Sequence, residues 1–221
     1  MDNEKELSVQ ALRDIRAIME RSAKFITLSG WSGIWAGTVG LAGAYIAYLW
    51  LNDMPDTNHE VYLAAPAGII TAGEYSDITL KFVGLALTVL LVAVAGGYYF
   101  TWKKTKSNGH KVWNSASRRM LGHMAIPLVA GGLFSLLFLS NGHEMYIAPA
   151  CLVFYGLALI NGSKYTISDI RYLGYSELGL GFINMFWPGY GLTFWALGFG
   201  VLHILYGIIM WNKYDKTGAG K

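Results

Sequence analysis

Long apolar runs separated by short polar or charged segments dominate the chain. Six of them approach the ~20 residues that a helix needs to cross a bilayer's hydrocarbon core: residues 25–51, 78–102, 120–140, 145–161, 172–187 and 190–211. The fourth and fifth are short and would rely on flanking aromatics or local thinning to span. The pattern predicts an all-α fold, a polytopic integral membrane bundle of six transmembrane helices built as tandem helical hairpins. The expected organisation is a juxtamembrane segment over 1–24, a membrane domain over 25–212 with an outer loop at 52–77 and an inner loop at 103–119, and a tail over 213–221.

Charge placement gives this count a direction. Every Lys and Arg except Lys81 falls in the N-terminal segment, the second loop, the fourth loop or the tail. These are the alternate connections of a six-span chain, so the positive-inside rule places both termini in the cytoplasm. The outer loop carries Asp53, Asp56, Glu60, Glu74 and Asp77 and no basic residue. Its apolar middle, 61–70, is too short to span and is interrupted by Pro66 and Gly68. Tyr45, Tyr48, Trp50, Trp187 and Tyr190 mark the outer boundary, and Trp102, Trp211 and Tyr214 the inner one, as interfacial belts require.

Residues 8–22 have the stripe of an amphipathic helix, with Leu12, Ile15 and Met19 on one side and Arg13 and Arg16 elsewhere. Such a helix lies on anionic lipid; docking a cytoplasmic partner is the alternative. In the outer turn, Trp187-Pro188-Gly189-Tyr190 suits a type II turn, with Gly189 at positive φ. Arg119-Met120-Leu121-Gly122 and Arg171-Tyr172-Leu173-Gly174 each open a helix, and each following hairpin ends at an Asn, Asn161 or Asn212. That points to a repeated hairpin.

The segment from Leu178 to Trp211, LGLGFINMFWPGYGLTFWALGFGVLHILYGIIMW, resembles the hairpin unit of the HdeD-like six-helix membrane proteins, two Gly-rich helices joined by a Pro-Gly outer turn. The resemblance implies a six-helix fold linked to acid-stress tolerance, with no catalytic residues to carry over. The acidic outer loop and the N-terminal segment depart from that pattern.

Composition narrows the chemistry. Charged residues are 14% of the chain and hydrophobic ones 54%, against about a quarter charged in soluble domains. The net charge of +3 reads as a topology signal, so no nucleic-acid partner is expected. Cys151 is the single cysteine, and no metal site, Walker loop, HExxH or dinucleotide fingerprint occurs.

Three ionisable residues inside spans stand out, because each is costly in hydrocarbon: Glu177, His203 and His123. Their estimated depths allow one polar cluster on the cytoplasmic side, with Glu177 and His203 in hydrogen-bond reach. A carboxylate beside an imidazole is a proton relay, a ligand-cavity floor or a clasp fixing helix register. No cofactor is predicted; haem held by His123 and His203 is the alternative. Gly33 and Gly37 form a small-xxx-small step for helix packing, inside the bundle or between copies. Gly30-Trp31-Ser32-Gly33 is the one hook for a serine hydrolase, with Ser32 paired to His203. The chain therefore reads as a non-enzymatic membrane protein of the bacterial inner membrane, binding a small solute or serving a stress-related or accessory role. Its partners would be the lipid bilayer, a second copy or another membrane protein. The alternatives are a proton-coupled transporter and, below it, an intramembrane hydrolase with no catalytic residue established.

Overall fold

Where few polar side chains are available, backbone amides and carbonyls must satisfy each other within a segment, which the helix alone does. The computed structural model describes residues 10, 29–53, 72–107, 109 and 112–216. Each of the six predicted spans is helical there. The helices are α1 (Gly30–Asn52), α2 (Ala72–Ser107), α3 (Ser115–Ser140), α4 (Ile147–Gly162), α5 (Ile170–Phe186) and α6 (residues 191–215). Five spans, all but α5, are long and apolar enough to cross a membrane. The fold is an all-α bundle. The amphipathic segment over 8–22 (Gln10 apart), the apolar middle of the outer loop and the last five residues lie outside the described residues.

Alternate connections fall at opposite ends of the bundle. One, the basic end, carries Lys104, Arg118, Arg119 and Lys213; the other is the far end. The helices run further into the basic loop than hydropathy predicts, since α2 continues to Ser107 and α3 starts at Ser115. At that start, Asn114 Oδ1 accepts from the Ser117 amide at 2.9 Å and Ser117 Oγ from the Asn114 amide at 2.9 Å. This reciprocal cap satisfies two donors that a helix start leaves orphaned.

The turns differ from expectation. Pro188–Tyr190 is a single 3-10 turn, and Gly189 is not at positive φ. That conformation falls instead on Gly142, φ 70°, after α3. A 3-10 turn leads directly into the next helix and needs no left-handed residue.

Glycines decide the packing. On α1, an alanine Cβ at Gly37 would meet Gly200 O at 2.6 Å, and one at Gly33 would meet the Gly207 Cα at 3.0 Å. The Gly33/Gly37 face is thus occupied by α6 inside the molecule. Gly156 and Gly174 make the equivalent crossing of α4 and α5, where a Cβ on either would meet the other's carbonyl oxygen at 2.7 and 2.8 Å. The hairpin repeat at the helix starts is not a repeat of packing. α3 and α5 both lie against α4, whereas α6 lies mainly against α1 and touches α5 lightly. An apolar groove of about 320 Å³, lined by residues including Gly179, Leu180, Leu197 and Val201, marks the α5–α6 seam. α2 flanks α1, with Trp35 Nε1 donating to Val92 O at 3.0 Å across Gly96.

The basic end is tied by Asp215. Its carboxylate accepts from the Lys104 ammonium, from Ser29 Oγ at 3.2 Å and from the Gly30 amide at 3.0 Å. One carboxylate thereby joins the ends of α2 and α6 to the start of α1, where a helix N-terminus favours negative charge.

Candidate functional site: a buried Glu–His–Tyr cluster

Two of the three predicted titratable residues come together. Glu177 lies next to the midpoint of the 17-residue α5 and is fully buried. His203, at 6% exposure, lies in the middle of α6. Their Oε1 and Nδ1 atoms are 3.3 Å apart. The cluster therefore sits at mid-bundle rather than toward one end, and Glu177 does not reach for the interface.

Local structure explains the meeting. The stretch Ala196–Leu202 of α6 is π-helical, a widening of the helix common at functional sites. His203 follows it at once, and its Nδ1 lies 2.9 Å from Gly198 O. A carbonyl oxygen only accepts, so Nδ1 carries the proton. Nε2 then faces the Tyr155 hydroxyl of α4 at 2.8 Å. Tyr155 donates to a neutral imidazole and accepts from an imidazolium. The ring is flanked by Phe199, with centroids 6.0 Å apart.

Gly198 has a second role. A Cβ there would lie 2.5 Å from Glu177 Oε2 and against Leu152, so only glycine leaves space for the carboxyl group. Among the described residues neither oxygen of Glu177 has a hydrogen-bond donor. The 3.3 Å approach of Nδ1 is an ion-pair distance without hydrogen-bond alignment. An ionised carboxylate in such a place is strongly penalised unless a cation stands beside it. Two charge states fit the geometry: a neutral acid beside neutral imidazole, and a carboxylate beside imidazolium. Tyr155 was not among the sequence candidates. A tyrosine in an apolar run carries no mark of its own, and α4 has no charged residue to draw attention to it.

The remaining candidates lie elsewhere. His123 is exposed on α3 and stacked on Tyr165, centroids 4.7 Å apart. It does not join the cluster: α3 packs on α4, and the His123 ring is stacked on Tyr165 instead. The His123–His203 pair required for axial haem ligation is thus not assembled, and both ring nitrogens of His203 already face protein partners. Ser32 Oγ donates to Ser29 O at 2.5 Å, and the His203 ring is turned to Tyr155 and Glu177, so no Ser–His dyad forms. No group of three metal-ligating side chains occurs among the described residues. Cys151 lies partly buried at the α3–α4 contact, 3.7 Å from Ser135 Oγ.

No family model, curated protein or solved structure matches the chain. The likeness of 178–211 to an HdeD-like hairpin rests on its glycine spacing and turn alone. The light contact between α5 and α6 sets it apart from a closed hairpin.

Proposed function

We propose that this is a non-enzymatic integral membrane protein whose Glu177–His203–Tyr155 cluster is an intramembrane proton-binding site. One observation carries the reading: a fully buried carboxyl group with no hydrogen-bond donor on either oxygen, beside a histidine whose second nitrogen is held by a tyrosine. A polar clasp that only fixed helix register would be selected to satisfy its acceptors. A proton site instead needs a carboxyl group free to change state, with an imidazole as the counter-charge.

The chain would lie in the bacterial inner membrane, with α5 as the sixth crossing and both termini in the cytoplasm, as the basic residues favour. Proton uptake would couple to a stress-related or accessory role, or to binding of a small solute. Transport is the second reading. Because Glu177 is sealed from solvent in this conformation, transport would need a second one that opens a path to it.

Infrared difference spectroscopy of the lipid-reconstituted protein across a pH step is the direct test. We expect a carboxylic-acid carbonyl band that is absent from Glu177→Gln while the helical amide signal is kept. Superimposable spectra from the two proteins would remove the reading.

A further inference from the structure

Two further buried acceptors stand between Glu177 and the far end. Asn184 is fully buried. Its amide nitrogen donates to Trp187 O at 2.9 Å, which leaves Oδ1 without a donor. It follows Glu177 by two helical turns on the same face of α5, about 10 Å nearer the far end. Beyond it the 3-10 turns Glu144–Tyr146 and Pro188–Tyr190 pack together, and Oε1 of Glu144 is also buried without a donor. A buried acceptor left without a protein donor is a place where water donates when it has access, and these stand at three successive depths.

The line of acceptors is interrupted at Gly181, which lies between Glu177 and Asn184 on that face and is covered by Val153 and Leu152 of α4. A Cβ at Gly181 would be 3.1 Å from the Leu152 Cβ, and one at Gly198 would run into the Leu152 δ-carbon. Leu152 is itself fully buried. Its isobutyl group reaches the same point of α6, Gly198, as the Glu177 carboxyl, and offers water no partner.

We propose that Glu177 exchanges its proton with the far face through a short water-filled half-channel, entered at Glu144 and Asn184 and closed by Leu152. This rests on Glu177 being a proton site and adds the side of entry and the barrier. Rotation of one apolar side chain would join the water file to the carboxyl group. Toward the basic end, among the described residues, the orphaned hydroxyl of Tyr206 follows His203, so entry from that end is the competing route.

Thiol labelling of the full chain in vesicles separates the two. In a Cys151→Ser background, Asn184→Cys or Glu177→Cys is exposed on one face at a time to the impermeant cation [2-(trimethylammonium)ethyl] methanethiosulfonate. We expect Asn184→Cys to react from the far face and Glu177→Cys to be protected. Adding Leu152→Ala raises Glu177→Cys modification from the far face roughly tenfold or more, since reactivity follows the open population. Leu152→Met, of similar volume, leaves it unchanged. If Leu152→Ala does not fold, Leu152→Val carries the same comparison with a smaller cavity. An Asn184→Cys that is inert from both faces, a Glu177→Cys that reacts from the basic face, or indifference to truncation of Leu152 would each overturn the half-channel. Labelling reads solvent access and the infrared band reads titration, so failure of one leaves the other standing.

Discussion

At the scale of single residues, the cluster works because each polar group has a bounded set of partners. Tyr155→Phe removes the hydroxyl that faces His203 Nε2. It is expected to cost about 1–2 kcal/mol, read as a lower unfolding midpoint in detergent, while the Glu177 carboxyl band persists. Gly198→Ala is expected to be worse, because its methyl group meets both Glu177 and Leu152. At the basic end, Lys213 hydrogen-bonds Asp169 and holds its carboxyl below the ordinary value, against partial desolvation, and Tyr214 adds to the lowering. A lowered folded-state value contributes stability that is present above the unfolded carboxylate range. That stability is lost as pH falls through the lower folded value. Acid titration of stability should therefore lose part of its slope in Asp169→Asn, with no difference from the parent in slope near neutral pH.

At the scale of elements, glycine placement separates contact from filler. Gly37 faces α6 backbone at van der Waals contact, whereas a methyl group at Gly84 of α2 would meet nothing within 4 Å. Gly37→Leu should push α1 off α6 and cost about 3 kcal/mol. Gly84→Ala should be neutral or gain up to ~1 kcal/mol from helix propensity. Thermal unfolding of the two variants side by side checks the pair, and equal effects would mean that α1 and α6 do not cross here. The six apolar runs were legible as helices because length and hydropathy are local properties. Which glycines touch was not, since Gly33, Gly84 and Gly179 look alike in sequence and differ only in what faces them.

At the scale of the molecule, α6 is the joint. It holds α1 along its glycine face, meets α4 chiefly through residues 191–195, and meets α5 through that segment and the π-helical stretch that carries Gly198 and precedes His203. Asp215 closes the basic end by linking α1, α2 and α6. Asp215→Asn should weaken the whole bundle by about 2 kcal/mol, since hydrogen bonds to a charged group exceed neutral ones. Asp215→Asn and Lys104→Met should be non-additive, because Lys104 donates to Asp215, a coupling that a double-mutant cycle in unfolding experiments would measure.

By itself the sequence determined the number of helices, some of their boundaries and the segregation of charge to one end. Each of these follows from short stretches of chain meeting lipid or water. It also singled out Glu177 and His203, because ionisable groups in hydrocarbon are conspicuous wherever they fall. Only the tertiary structure decided that Tyr155 completes the cluster, that His123 stands apart from it, and that Leu152 lies between Glu177 and Asn184. Those outcomes depend on helix rotation and on which backbones approach closely. Both are set by the summed packing of glycines against distant segments, which no single stretch of the sequence encodes.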